Sequence, residues 1–171
     1  MQFTRSEKLP GVVVVRPDIL VDPRGDYCMV FNDALYTEHG IKGPFVEHCI
    51  STSKFGTLRG LHADPECDKL IQCLHGEIWY CLVDTERAVW EGYMLTDRNR
   101  VQLYKPRQYA AGLLALTDGA LFVYYQSQYY DRSRQQSWRY DHPRFGIRWP
   151  MRPLLISDRD AEADSRLIMP S

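Results

Sequence analysis

The sequence predicts an all-β fold, an antiparallel sandwich or barrel with short flanking helices. Three observations predict it. From "FVEHCISTS" to "ALFVYYQSQYY" the chain is a succession of short runs rich in β-branched and aromatic residues. Gly, Asp and Pro separate these runs at roughly regular spacing, the pattern of antiparallel sheets. Only one short segment carries the caps of a clear helix. The length of 171 residues suits one domain with a real core, so residues 1–171 are expected as a single domain.

Taken in order, "VVVVRPDILVD" is β-branched and turns at "DPRGD", where Pro23 and Gly25 are turn residues. The run "VVVV" is expected as an edge strand that needs cover. In "NDALYTEHG", Asn32 or Asp33 can cap the helix start, and Gly40 suits the position after its end. After Gly43 and Pro44 come strands in "FVEHCISTS", "TLRGLHA", "KLIQCLHG", "EIWYCLVDT", "VWEGYMLT", "RVQLYKP", "AAGLLALT" and "ALFVYYQSQYY". The tail from Asp131 has little period, with a short terminal helix expected in "DRDAEAD".

Lysine and arginine number 21 against 22 acidic residues, a net charge of −1. That balance leaves no basic footprint for nucleic acid. The longest apolar run, "GVVVV", is far too short to span a bilayer. The first residues lack the apolar stretch of a signal peptide, so a cytoplasmic location with no membrane partner is expected. The five cysteines are odd in number and form no C-x-x-C pair, which fits reduced thiols. Cys67, Cys73 and Cys81 read as fillers of core or turns. The 11 tyrosines stand out. Buried ones need hydroxyl partners, and exposed rings offer stacking faces for flat ligands.

The segment "TLRGLHADPECDKL" carries the chemistry. A guanidinium in a strand, Arg59, needs an anion from the protein or from a ligand. An imidazole, His62, is a base or a metal ligand. A metal site would need three or four converging ligands. The comparison with metal-binding cupins offers His62, Asp64 and Glu66, but at the second cupin motif, "KPRQYAAGLL", the ligand histidine is replaced by Ala110 and Ala111. His39, His48, His75 and His142 are scattered over other elements, so no metal or cofactor is expected. A base beside a ketone instead needs a group for the enolate oxygen and an acid to return the proton. Lys69 suits the first role. Tyr124 shares a strand face with Phe122 and Gln126 and suits the second.

The order "DPRGDY", "RGLH", "KL", "KPRQYAAGLLAL", "VYYQSQYY", "GIRWP", "LLISDRDA" resembles the dTDP-4-dehydrorhamnose 3,5-epimerase family, from about Val12 to Asp160. The resemblance implies a cupin-type jelly roll that works without metal, as a homodimer. It implies epimerisation beside the C4 ketone of a nucleotide-linked 4-keto-6-deoxy sugar. Such sugars are destined for a cell-envelope polysaccharide, such as lipopolysaccharide O-antigen, or for a glycosylated metabolite. By motif, His62 matches the base, Tyr124 the acid, Asp160 the carboxylate paired with the base, and Lys69 the lysine near the C4 oxygen. Arg24 and Arg59 match arginines around the diphosphate, and Tyr130 a tyrosine of the nucleotide pocket. Glu47, Gln135 and Arg159 fall where the family has other substrate-facing residues. Ala111 stands where the family has a histidine, and Met29 where it has a glutamate. These departures imply a changed binding shell: a CDP or GDP sugar instead of a dTDP sugar, or turnover at C3 alone. A nucleotide-sugar 3,4-ketoisomerase and a non-catalytic sugar-nucleotide binder are the alternatives.

Overall fold

The computed structural model describes residues 1–163. The chain enters with β1 (Gln2–Arg5), β2 (Val13–Arg16) and a hairpin of β3 (Leu20–Asp22) and β4 (Gly25–Tyr27). Helix α1 (Asp33–Glu38) follows. The Asn32 side chain accepts from the Leu35 N–H at its start, and Gly40 takes a left-handed conformation just past its end. Strands β5 (Glu47–Ser53), β6 (Leu58–Ala63), β7 (Lys69–His75) and β8 (Glu77–Asp84) come next. Then come β9 (Val89–Thr96), β10 (Gln102–Lys105), β11 (Ala110–Ala115) and β12 (Ala120–Gln126). A 3-10 turn at Arg132–Arg134, β13 (Gln136–Ser137) and α2 (Asp158–Ala161) complete the described chain. The helix expected in "DRDAEAD" is thus α2, and Asp164 lies outside the described residues.

The strands form two larger antiparallel sheets, ordered β1-β2-β10-β7-β12-β5 and β13-β6-β11-β8-β9, with β3-β4 apart from both. Alternation along each strand turns one face inward. Ile71, Leu103 and Phe122 from the larger sheet meet Ile78, Leu82 and Leu113 from the smaller one in the main core. Each such side chain stabilises the fold by about 1.5–3 kcal/mol when fully buried.

The expectation for "VVVV" needs correction. Strand β2 is no edge: it lies between β1 and β10, and Val13, Val14 and Val15 are buried. The edge of this sheet is β1, because "QFTR" pairs along β2 from Gln2↔Arg16 to Arg5↔Val13. On the outer face of the same sheet, buried Tyr36 donates its hydroxyl to Gln102 Oε1 at 2.6 Å. Strand β12 stops at Gln126, so Tyr129 and Tyr130 follow it as exposed residues.

Candidate active site

A cavity of about 330 Å³ opens between the two larger sheets. One wall is β6. Ordinary alternation would send residues three apart, such as Arg59 and His62, to opposite faces. Here β6 carries one extra residue. Ala111 on β11 pairs with His62 and Leu113 pairs with Arg59, so Gly60 and Leu61 together face Gly112 alone. This bulge re-aims the strand, and both Arg59 and His62 line the cavity. Gly60 makes the bulge possible. A Cβ there would stand 2.6 Å from the Ala111 carbonyl oxygen and 2.7 Å from Gly112 Cα.

The tail supplies the partner of His62. Leu155 accepts from the Leu58 N–H at 2.9 Å and forms a parallel bridge with Thr57, which docks the segment beside β6. Ser157 then caps α2 by accepting from the Asp160 N–H. Asp160, 4% exposed, accepts from His62 Nε2 at 2.6 Å on Oδ1 and from the Gly60 N–H at 3.0 Å on Oδ2. The contact to His62 is slightly shorter than a usual charge-assisted N–H···O bond of about 2.7–2.9 Å. A carboxylate only accepts, so Nε2 carries a proton, and in the neutral imidazole the lone pair is then on Nδ1. Burial alone would raise the Asp160 carboxyl. The bonds from His62 and Gly60, with the charges of His62 and Arg159, outweigh it and hold the carboxyl below its usual range.

The opposite wall belongs to the larger sheet. Lys69 opens β7, and Tyr124 lies on β12 with Phe122 on the same inward face. Lys69 Nζ sits 5.2 Å from the centre of the Tyr124 ring. Burial raises the Tyr124 phenol, with Cys49 and Glu47 adding and Arg59 opposing, so it stays protonated well above neutral pH. Burial lowers Lys69, against the pull of Cys67, Asp64, Cys49 and Glu47. Arg59 donates from Nε to Ser53 Oγ at 3.0 Å and from Nη2 to the Thr52 carbonyl at 3.1 Å. Neither partner is an anion.

The cavity therefore gathers His62, Asp160, Lys69, Tyr124, Arg59, Gln135 and Arg159. Three expected site residues are not in its lining. Arg24 stands on the β3-β4 hairpin, exposed, with its guanidinium on Asp22. Tyr130 is exposed beyond β12, and its backbone N–H donates to Glu47. Glu47 also accepts from the Gln126 side chain at 2.7 Å. Asp64 is held by Arg134 and Gln135. Among the described residues no group of three His, Cys, Asp or Glu side chains is placed to hold a metal ion, and no helix is long and apolar enough to cross a membrane. Sequence reasoning missed Lys105, a buried residue of the lining. The signal was present: alternation puts it on the inward face of Leu103.

A family model described as dTDP-4-dehydrorhamnose 3,5-epimerase matches residues 6–166. The dTDP-4-dehydrorhamnose 3,5-epimerase of Methanothermobacter thermautotrophicus is 33% identical over 162 residues, 89% of this chain and 88% of its own. A solved Legionella pneumophila dTDP-6-deoxy-D-glucose-3,5-epimerase, in complex with dTDP-4-keto-L-rhamnose, is similar at a TM-score of 0.89 and 30% identity. That match covers 95% of this chain and 90% of the other. ChmJ, a 3'-monoepimerase from Streptomyces bikiniensis in complex with dTDP-quinovose, is similar at a TM-score of 0.86 and 28% identity, covering 94% and 86%.

Proposed function

We propose that this chain, which belongs to the dTDP-4-dehydrorhamnose 3,5-epimerase family and is an isomerase acting on nucleotide sugars, inverts carbon beside the C4 ketone of a nucleotide-linked 4-keto-6-deoxyhexose. The observation that carries this reading is the placement of a base and an acid on facing walls. His62 belongs to the smaller sheet, and Tyr124 to the larger. A ring held between them loses a proton to one side and regains one from the other, which is an inversion.

In this reading His62 Nδ1 removes the proton next to the ketone. Its Nε2–H stays on Asp160, which favours the imidazolium that forms. The electron pair moves onto the ketone oxygen, where the Lys69 ammonium stabilises it. Tyr124, kept protonated by its burial, donates to the opposite face. Arg59 and Arg159 take the diphosphate, whose oxygens suit a forked donor. The fold is read as a cupin-type jelly roll and one catalytic domain. The location is read as cytoplasmic, in keeping with five free cysteines.

Replacing His62 by Asn tests the base. In D2O the wild type is expected to place deuterium at C3 of the 4-keto-6-deoxyhexose carried by whichever of CDP, GDP or dTDP it binds best, and at C3 alone if Ala111 narrows the reaction. The variant should lose about 10²–10⁴-fold of that rate with its melting temperature kept. Exchange at the wild-type rate would remove His62 from the mechanism, and label at both C3 and C5 would remove the restriction. The nucleotide is read as CDP or GDP. Glu47 Oε1 accepts from Gln126 and from the Cys49 thiol, and Oε2 from the Tyr130 N–H alone, so Oε2 can accept a second donor. An exocyclic amine, which thymine lacks, is the donor expected. Calorimetry with CDP, GDP and dTDP decides this, and a clear preference for dTDP contradicts it.

A further inference from the structure

Lys105 is an enclosed charge that the chemistry above leaves unused. It ends β10, is 1% exposed and lines the cavity. It stands in register directly opposite Lys69 on β7. Side chains so opposed start from Cβ atoms about 4.5–5.5 Å apart, and like charges there repel. The Lys105 Nζ donates to the carbonyls of Tyr109 at 2.9 Å and Pro106 at 3.4 Å, neither of them an anion.

The charged and titratable groups around the pair have other partners. From the loop before β7, Asp64 is held by Arg134 and Asp68 by Arg107, and Cys67 is a buried thiol. From β5, Glu47 accepts from Gln126, and the Cys49 thiol points to Glu47. From β12, Tyr124 presents its ring to Lys69. From the facing sheet and α2 come Arg59 and Arg159, both cationic, and His62, bonded to Asp160. Among the described residues no ion pair includes Lys69 or Lys105. Burial first, and the charge of Lys69 second, lower Lys105 to about 8, against Cys67, Asp68 and Asp64. A desolvated lysine beside a second cation is a known way to make an amine release its proton.

We propose that Lys105 is a positioning residue that acts through Lys69: set across the ladder from it in the closed cavity, it turns Lys69 from a fixed cation into a proton donor for the ketone oxygen. The inference rests on the roles given above to His62, Lys69 and Tyr124. As His62 takes the carbon-bound proton, the C–H pair becomes the C=C bond and the carbonyl pair moves to oxygen. That oxygen takes a proton from Lys69, which becomes a neutral amine and no longer repels Lys105. In the second half Tyr124 protonates carbon from the other face, and the enol proton returns to Lys69. His62 has then gained one proton and Tyr124 lost one, and exchange with water resets both.

The first test uses wild-type protein carrying 13C at the lysine ε carbons of Lys8, Lys42, Lys54, Lys69 and Lys105. Two resonances should titrate below the rest, each in two steps, because coupled groups lose protons as a pair. Single-step titration of every lysine in the surface range overturns the proposal. In Lys105→Met the Lys69 resonance, identified by its loss in Lys69→Met, should move up by about one pH unit or more. The melting temperature should rise, since an apolar group of similar size replaces an unpaired buried charge. An unmoved Lys69 midpoint with a lower melting temperature would make Lys105 a tie to the turn before β11 and overturn the proposal. The basic limb of the pH profile for solvent-deuterium exchange should shift up with the Lys69 midpoint. A limb that stays in place while the resonances behave as a pair overturns this inference alone. Absence of exchange in the wild type overturns the functional reading and this inference with it.

Discussion

Asp160 engages both the backbone and the His62 imidazole. One oxygen holds the Gly60 N–H and the other holds His62 Nε2, so the same carboxylate pins the bulge and orients the imidazole. Asp160→Asn is expected to slow solvent-deuterium exchange by roughly 10²–10⁴-fold, because an amide can donate to Nε2 and leave the wrong tautomer. A pH dependence follows from the same group. Its carboxyl is held below the usual range in the folded state, so its contribution is present above the unfolded value of about 3.9. That contribution is lost as pH falls through the folded value. The gap in melting temperature between wild type and variant should therefore hold above about pH 4 and shrink as pH falls below it, and a constant gap would contradict the account. His62 and Lys69 stood out as ionisable groups in strands, and His62, Lys69, Tyr124 and Asp160 all fell in an order that matched a family. Lys105 was passed over despite its alternation with Leu103, because a lysine before a proline also reads as the start of a turn.

At the scale of elements, the bulge in β6 decides more than any single side chain. It brings Arg59 and His62 to one cavity although they are three apart. Gly60→Ala should destabilise the fold by about 2 kcal/mol or more. The new Cβ meets the β11 backbone within 2.7 Å, and Gly60 sits at a φ of +112° where a side chain is strained. Denaturant unfolding measures the loss. A change under about 0.5 kcal/mol, the scatter of ordinary surface substitutions, would mean the backbones part easily. The core strands, β5 to β12, were legible from their alternation and punctuation. Strands β1 and β13 were not, since "QFTR" and "QS" carry no apolar period and are strands only because a neighbour offers them an edge.

For the whole molecule, the β3-β4 hairpin leaves apolar groups uncovered. Leu20, Val21 and Tyr27 are 64%, 76% and 65% exposed, and clustered apolar surface of this kind marks an interaction site. A homodimer covering this hairpin is expected, with light scattering as the measurement. Leu20→Asp with Val21→Asp should shift the protein toward monomer with little loss of its own stability, as both positions are exposed. A wild type that is monomeric at all working concentrations would end this expectation. Arg24 shares the hairpin, and Tyr130 lies beyond β12, outside the cavity lining. Both were assigned by motif, and motif order carries no distances.

By itself the sequence determined the all-β class, the positions of the core strands, the family and most of the candidate residues that meet in the cavity. These follow from local alternation, turn residues and residue chemistry. Only the tertiary structure decided that an extra residue in β6 brings His62 and Arg59 to one cavity, that the tail returns Asp160 beside His62, and that Lys105 faces Lys69. Each of these depends on the register between strands distant in the chain, which hydrogen bonding across the sheet sets and which no local pattern encodes.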